Sequence, residues 1–140
     1  MRWWRELSIA VAACALCACG GQDAPAAQAP PPADAPETLA ERPCPEDTFL
    51  TFEDFGGPFL YDWCTGCHSS EMQEGQRQGA PLAVDFDTLE DARAWADRIW
   101  LRAGDHNATM PPIGGPDADE RGALGEWLAC GAPSLGDQAP

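Results

Sequence analysis

Apolar residues recur at helical spacing over two segments of this chain. In the first they fall three or four positions apart, which places them on one face of an α-helix; they are Leu89, Ala92, Trp95, Ala96, Ile99, Trp100 and Ala103. Thr88 and Asp91 form a capping-box pattern just ahead of this stripe, and Gly104 is a suitable stop just after it. We therefore predict a helix over residues 89–103.

The second apolar stripe lies near the end of the chain and consists of Ala123, Leu124, Trp127 and Leu128. It predicts a last helix over residues 118–130, with Asp117 or Asp119 as its N-cap and Gly131 at its end. Residues 69–87 show no clear period, so we expect mostly loop there. Four tryptophans are expected to line the core, namely Trp63, Trp95, Trp100 and Trp127.

A shorter apolar pattern precedes residue 64. Phe49, Phe52 and Phe55 fit a helical spacing that the glycine pair at 56–57 is expected to interrupt. Pro58 could then open a short helix, where its missing N–H costs nothing. The buried side of that helix would be formed by Phe59, Leu60 and Trp63. Since all of these elements are helical, we predict a small all-α domain.

Residues 1–18 have the features of an export signal. Arg2 and Arg5 precede an uncharged apolar stretch of about a dozen residues, which is short for a bilayer span. The run Leu-Cys-Ala-Cys-Gly that follows is similar to the lipobox of bacterial lipoproteins, and it predicts Cys19 as the acylated first residue of the mature chain. Cys14 fits the same pattern but leaves a very short apolar region. An ordinary cleaved signal peptide is the remaining alternative.

Residues 19–43 are dominated by alanine and proline and contain no aromatic residue. Such a segment cannot bury enough apolar area to offset the entropy lost on ordering. We predict a disordered linker that tethers a domain over residues 44–133, followed by a tail over residues 134–140. The protein would then be lipid-anchored to a membrane and face the periplasm or the cell exterior.

The charge balance limits the choice of partners. The 140 residues carry a formal net charge of −15, from 23 acidic and 8 basic residues. Phosphate backbones would repel such a surface, so nucleic acid is not expected as a partner. A protein with a basic docking face is favoured, because opposite fields speed encounter. Acidic charge that serves solubility alone is the simpler alternative.

The motif with the most specific chemistry is Cys-Thr-Gly-Cys-His at residues 64–68. This spacing is the attachment signature of a c-type haem, in which Cys64 and Cys67 bond the porphyrin and His68 is the proximal axial ligand. A thioredoxin-like redox motif would need a βαβ pattern, which is missing. A zinc site would need further ligands at finger-like spacing, and the only other histidine is the distant His106.

A second axial ligand is expected from the loop before the last helix. Met110 is followed there by Pro111 and Pro112, which restrict the backbone and stiffen the loop. A thioether opposite an imidazole gives the Met/His ligation of electron-transfer cytochromes c. His106 is the rival ligand. Met72 is too close to His68 in sequence to reach the opposite face of the haem easily. An open sixth position is a further alternative.

Taken together, residues 64–68, the Met-Pro-Pro at 110–112 and the closing stretch at 127–133 resemble the small mono-haem cytochromes c. The resemblance covers residues 44–133. It implies a class I-like all-α fold wrapped around one haem c, with one-electron transfer between redox proteins and no enzymatic turnover. The alternatives are a haem peroxidase or gas sensor with an open sixth site, and an accessory haem subunit of a larger redox complex.

The resemblance also implies a disulfide. In that family the first and last helices pack against each other, which would bring the two ends of the domain together. Of the seven cysteines, Cys44 and Cys130 lie near those two ends. Export to an oxidising compartment would allow them to pair.

Overall fold

The computed structural model describes residues 33–138. Over this range the chain is helical and has no β-strand, which confirms the all-α class. The four α-helices are α1 (Gly57–Trp63), α2 (Leu89–Ala94), α3 (Ala96–Ala103) and α4 (Ala118–Ala129). Single turns of 3₁₀-helix lie at Leu39–Glu41, Glu74–Gln76 and Leu135–Gln138, and a π-helical turn spans Phe52–Gly56.

The helix predicted over residues 89–103 is divided in two at Trp95. Its start is as predicted, because the Thr88 hydroxyl accepts from the Asp91 N–H at 3.1 Å and Asp91 Oδ2 accepts from the Thr88 N–H at 3.0 Å. At Trp95 φ is −110° and ψ is 12°, which lies outside the helical region. The Trp95 N–H still donates to Asp91 O, and Ile99 N–H to Trp95 O. The segment therefore bends without losing the hydrogen bonds on either side.

The last helix ends one residue earlier than predicted. Asp117 is its N-cap, and Asp117 Oδ1 accepts from the N–H groups of Asp119 and Glu120, both at 2.9 Å. These bonds satisfy two of the donors that a helix start leaves free. Gly131 follows with φ of +82°, a conformation that glycine adopts without strain.

The glycine pair at 56–57 does not interrupt the helical segment, contrary to the prediction. The π-helical turn Phe52–Gly56 continues directly into α1, and Gly57 N–H donates to Phe52 O. Gly56 is buried against Trp127 of α4, so closely that a Cβ at this position would overlap the indole. The glycine thus allows the first and last helical segments to touch.

The core lies where α1, α3 and α4 meet. Its largest fully buried apolar side chains are Leu60, Trp100, Leu124 and Trp127. Phe52 and Phe55 pack on the Trp127 ring, with centroids 6.3 and 6.4 Å away. Trp63 and Trp95, by contrast, are only half-buried and lie towards one side of the core. Of the four tryptophans, therefore, only Trp100 and Trp127 are fully buried in the core.

Cys44 and Cys130 form the expected disulfide. Their Cα atoms lie 4.9 Å apart, within the range that a disulfide requires, and 86 residues separate them in sequence. The bridge joins the segment before α1 to the residue after α4. It therefore closes nearly the whole domain into one loop.

Part of the segment predicted as a disordered linker packs against the domain before Cys44. Leu39 packs against the core, and Arg42 Nε donates to Asp105 Oδ2 at 2.8 Å. The export signal, the candidate lipidation sites Cys14 and Cys19, and the linker up to residue 32 lie outside the described residues. None of the helices within residues 33–138 has the length and apolar character needed to cross a membrane.

Candidate functional site

The chain leaves α1 through one more helical turn, which carries the cysteine motif. Cys64 N–H donates to Leu60 O at 2.8 Å, and His68 N–H donates to Cys64 O at 2.9 Å. Side chains three and four residues apart on such a turn share a face. Cys64, Cys67 and His68 accordingly line the same cavity, whose volume is about 410 Å³.

The His68 ring is fixed in orientation by two contacts. Nδ1 lies 2.9 Å from the Val84 carbonyl oxygen, which can only accept, so Nδ1 carries the proton. The ring also stacks on Phe86, with centroids 4.7 Å apart. Nε2 is left with its lone pair, and a histidine held in this way is the usual form of a metal ligand.

The loop that supplies the Val84 carbonyl is held by Arg77, whose side chain is 1% exposed. Its guanidinium donates to the carbonyls of Ser69 at 2.6 Å, Pro81 at 2.8 Å and Val84 at 2.8 Å. An oxygen of Asp85 lies 2.7 Å from Nη2 as an ion pair, without hydrogen-bond geometry. The Val84 oxygen thus accepts from Arg77 and from His68 together. Arg77 positions the group that orients the histidine.

Met110 is brought to the cavity by the C-terminal end of α3. The Arg102 carbonyl, which a helix end leaves free, accepts from the N–H groups of Thr109 and Met110, both at 2.9 Å. Asn107 Nδ2 donates to the Trp100 carbonyl at 3.1 Å. Met110, Pro111 and Pro112 all line the cavity, and Met110 is 40% exposed.

The two rivals of Met110 lie elsewhere in the described part of the chain. Met72 contributes to a different cavity, together with Tyr61 and Asp87. His106 is exposed, and its ring stands edge-on to Trp100 at a centroid distance of 6.0 Å. Neither lines the cavity that contains both motif cysteines.

Most of the cavity wall is apolar and much of it is aromatic. Its apolar side chains include Phe59, Trp63, Phe86, Trp95 and Ile99. The wall also contains Arg98 and Arg102 but no aspartate or glutamate of the described part of the chain, although the sequence is strongly acidic. The cavity therefore suits a large apolar ligand, and the charge on its wall is basic.

Burial, together with a smaller effect of the nearby Cys67, raises the pKa of the Cys64 thiol to about 12. The neutral thiol is therefore the stable form at neutral pH. Reactive and disulfide-exchanging cysteines have the opposite property, a lowered pKa. The surroundings of Cys64 are those of a buried thiol that is not activated as a thiolate.

Within residues 33–138 no group of three or more histidine, cysteine, aspartate or glutamate side chains is placed to hold a metal ion. In comparisons with known proteins, no family model matches the sequence, and no curated protein or solved structure is significantly similar to it.

Several residues of the site were not anticipated from the sequence. Arg77 and Val84 lie in a segment without periodicity, and no sequence pattern marks them. Arg98 and Arg102 did leave a signal, because they stand four residues apart beside the apolar stripe of α3 in a strongly acidic chain. The structure brings these arginines to the cavity together with the predicted Cys64, Cys67, His68 and Met110.

Proposed function

We propose that this protein is a mono-haem electron-transfer protein of the cytochrome c kind. Cys64 and Cys67 would hold one haem c covalently, with His68 and Met110 as axial iron ligands. One observation carries the proposal: four residues chosen from two separate sequence motifs line the same cavity. The expectation rests on motif and geometry, since no relative supports it.

The residues of the cavity fit a haem in three respects. The wall is largely apolar and aromatic, as a porphyrin ring requires. His68 has its Nδ1 proton committed to Val84, which leaves Nε2 available for iron. Two protein ligands are sufficient, since a porphyrin itself supplies four nitrogens, and no larger cluster of metal-binding side chains is needed.

Each protein group would have a separate task. The S–H of Cys64 and the S–H of Cys67 would each add across a separate vinyl group, with the sulfur bonding to one carbon and the hydrogen going to the other. When bound, the haem supplies a one-electron Fe(III)/Fe(II) couple. As an iron ligand, the neutral, soft thioether of Met110 would favour Fe(II) and so would raise the reduction potential. The apolar wall limits access of water, which also tunes the potential.

The surroundings of the site are consistent with exchange of electrons at the surface. Met110 is 40% exposed, and Ile113 in the same loop is 86% exposed. Because this protein has a net charge of −15, its electric field would steer a redox partner with a basic docking face towards it. A lipid on Cys19 would hold the protein at a membrane that faces the periplasm or cell exterior.

The direct test is to produce the full chain together with a haem-attachment system. After denaturing electrophoresis the protein band should still stain for haem, because thioether bonds survive denaturation. The purified protein should titrate as a single one-electron couple with a six-coordinate low-spin spectrum. Complete removal of the porphyrin by acidified acetone would refute covalent attachment.

Met110 and Met72 form a matched pair for the axial ligand. Met110→Ala should lower the reduction potential and let small ligands bind the iron, because the thioether is lost. Met72→Ala removes the same side chain from a different cavity and should leave both properties unchanged. An unchanged spectrum in Met110→Ala would transfer the role to another residue, with His106→Ala as the next variant.

The partial exposure of Met110 favours one second candidate, a haem site whose sixth position opens to peroxide or a diatomic gas. The two functions differ in the oxidised protein. A Met–Fe charge-transfer band that persists in the presence of peroxide or nitric oxide supports electron transfer, whereas its absence supports the second candidate.

The anchor is tested with the two candidate cysteines. Cys19→Ser should release the protein from the membrane fraction, because stable anchoring needs more than one acyl chain and these would be lost together. Cys14→Ser is the matched control and should leave the protein in the membrane fraction. The reverse pattern would identify Cys14 as the lipidated residue.

A further inference from the structure

Two arginines differ from the other arginines within residues 33–138 in having no partner among these residues. All eight basic residues are arginines, and six of them lie within residues 33–138. Four of the six are paired: Arg42 with Asp105, Arg77 with Asp85, Arg93 with Asp137, and Arg121 with the Pro116 carbonyl. The guanidinium groups of Arg98 and Arg102 make no hydrogen bond or salt bridge to any described residue, and both line the cavity.

The two arginines have a regular relation to the apolar wall. They are one helical turn apart on α3, so their Cβ atoms are about 6 Å apart. Ile99 and Ala103 of the same helix, and Trp95 directly before it, line the cavity beside them. The helix thus presents an apolar stripe with two positive charges along one of its sides.

The charge of this edge is not balanced locally. Among residues 33–138 no carboxylate lines the cavity, and the other titratable side chains in its wall are Cys64, Cys67 and His68. In a chain of net charge −15, two cations without partners at one edge of an apolar cavity are favourable for a ligand that carries acidic groups at its own edge. A planar apolar ring with two carboxylates has that shape and charge.

We propose that Arg98 and Arg102 bind the two propionate carboxylates of the haem, an inference that rests on the function proposed above. Arg98 is exposed and Arg102 half-buried. The carboxylates would therefore stay near solvent, which avoids most of the desolvation cost of a buried ion pair. The guanidinium fork donates two parallel hydrogen bonds to a carboxylate, so each arginine can hold one propionate.

Such pairing has a spectroscopic and a redox consequence. Hydrogen bonds from arginine change the propionate bending vibration of the bound haem. They also lower the pKa of the propionates, since an opposite charge favours the ionised form. Because oxidised iron favours ionised propionates too, the reduction potential falls with rising pH only around that pKa. Because two arginines lower the propionate pKa, the reduction potential should fall only at low pH and stay constant above it.

The experiment uses the haem-loaded full chain and the variant Arg98→Gln/Arg102→Gln. The propionate bending band in the resonance Raman spectrum should shift to the position of unpaired propionates. The pH at which the potential begins to fall should rise by about 1–3 units. Arg98→Lys/Arg102→Lys should restore most of the pH profile, because it keeps both charges.

Arg93→Gln is the matched control, since it removes one positive charge from α2 at a site outside the cavity wall. It should leave the Raman band and the pH profile unchanged. An unshifted band in the double Gln variant would overturn the inference, as would an equal effect of Arg93→Gln. If the Gln variant loads no haem, loading by the Lys variant supports a need for charge, and failure of both overturns the inference.

The proposed function fails in a different way. If the unaltered protein carries no covalent haem, that function is wrong, and the arginine variants are not the cause. If all variants retain covalent haem with identical Raman bands and pH profiles, the function stands and only the role of the two arginines is lost.

Discussion

The surroundings of α4 and the wall of the cavity differ in how their polar groups are paired. Beside α4, the Asp105 carboxylate accepts from Arg42 and from Trp100 Nε1, and directly after the helix Cys130 is bonded to Cys44. In the cavity wall, Cys64 and Cys67 are free thiols, and Arg98 and Arg102 have no partner among the described residues. Cysteine and arginine are thus paired within the chain in one region and line a cavity in the other.

This difference separates stability from function. The polar groups around α4 have partners within the chain, so changes there should alter the free energy of unfolding. The cavity wall carries groups whose chemistry is not used within the protein, so changes there should alter ligand attachment and redox properties. The two regions share α3, because its Trp100 donates to Asp105 while its Ile99 and Ala103 line the cavity.

The largest expected effect distinguishes the two cysteine pairs. Cys64→Ser/Cys67→Ser should abolish covalent haem completely, because serine forms no thioether. Cys44→Ser/Cys130→Ser should retain it, because the disulfide lies outside the cavity wall. Haem staining after denaturing electrophoresis measures both. Loss of staining in the second variant, with the protein still folded, would contradict the separation of the two regions.

Loss of the disulfide should have the next largest effect. The chain-entropy model gives an upper figure of about 4.5 kcal/mol for a closed loop of this length, with the two cysteines separated by 86 residues. Denaturant unfolding of the haem-loaded protein, with and without a thiol reductant, measures the loss. The reductant should lower the midpoint and leave the haem attached, since thioethers are not reduced. Equal midpoints would mean that the bridge contributes little in the folded protein.

Two glycines of α4 form a matched pair that tests how closely this helix packs against Asp105. A Cβ at Gly125 would collide with the Asp105 carboxylate, whereas a Cβ at Gly122 would meet nothing within 4 Å. Gly125→Ala should therefore destabilise the fold by about 1–3 kcal/mol. Gly122→Ala should stabilise it by about 0.5–1 kcal/mol, because alanine loses less backbone entropy in a helix.

The free energy of unfolding from denaturant curves checks both glycine variants. The same sign of change in the two would mean that Asp105 can move away from Gly125 at little cost. In that case the hydrogen bonds from Arg42 and Trp100 would not fix the carboxylate in place.

The smallest effect is expected at the exposed tail. The pKa of Asp137 is lowered to about 2, by hydrogen bonds from the Ser134 N–H and hydroxyl and by the Arg93 guanidinium. A lowered folded-state pKa stabilises the protein above the ordinary value of 3.8, and this contribution is lost as pH falls through about 2. Asp137→Asn should thus be less stable than the unaltered protein at pH 5–7. The difference should vanish near pH 2, and a difference independent of pH would contradict the assignment.

Local patterns determined most of what was predicted correctly. The start of α2 and the end of α4 depend on nearest neighbours along the chain, such as the Thr88–Asp91 capping box and Gly131, so they are readable from sequence. The grouping of Cys64, Cys67 and His68 is also local, because one helical turn is enough to bring these three side chains to one cavity. These features follow from chemistry within a few residues.

Tertiary structure decided what depends on distant contacts. Gly56 and Gly57 have the composition of a helix break, but packing against Trp127 keeps the segment helical. Three further features depend on neighbours that are distant in sequence. They are the division of the helix at Trp95, the position of Met110 in the cavity wall and the burial of the Arg77 side chain. Those neighbours set burial and hydrogen bonding, which no local pattern encodes. The sequence alone therefore determined the chemical groups and most helix ends, and packing between helices determined which of those groups meet.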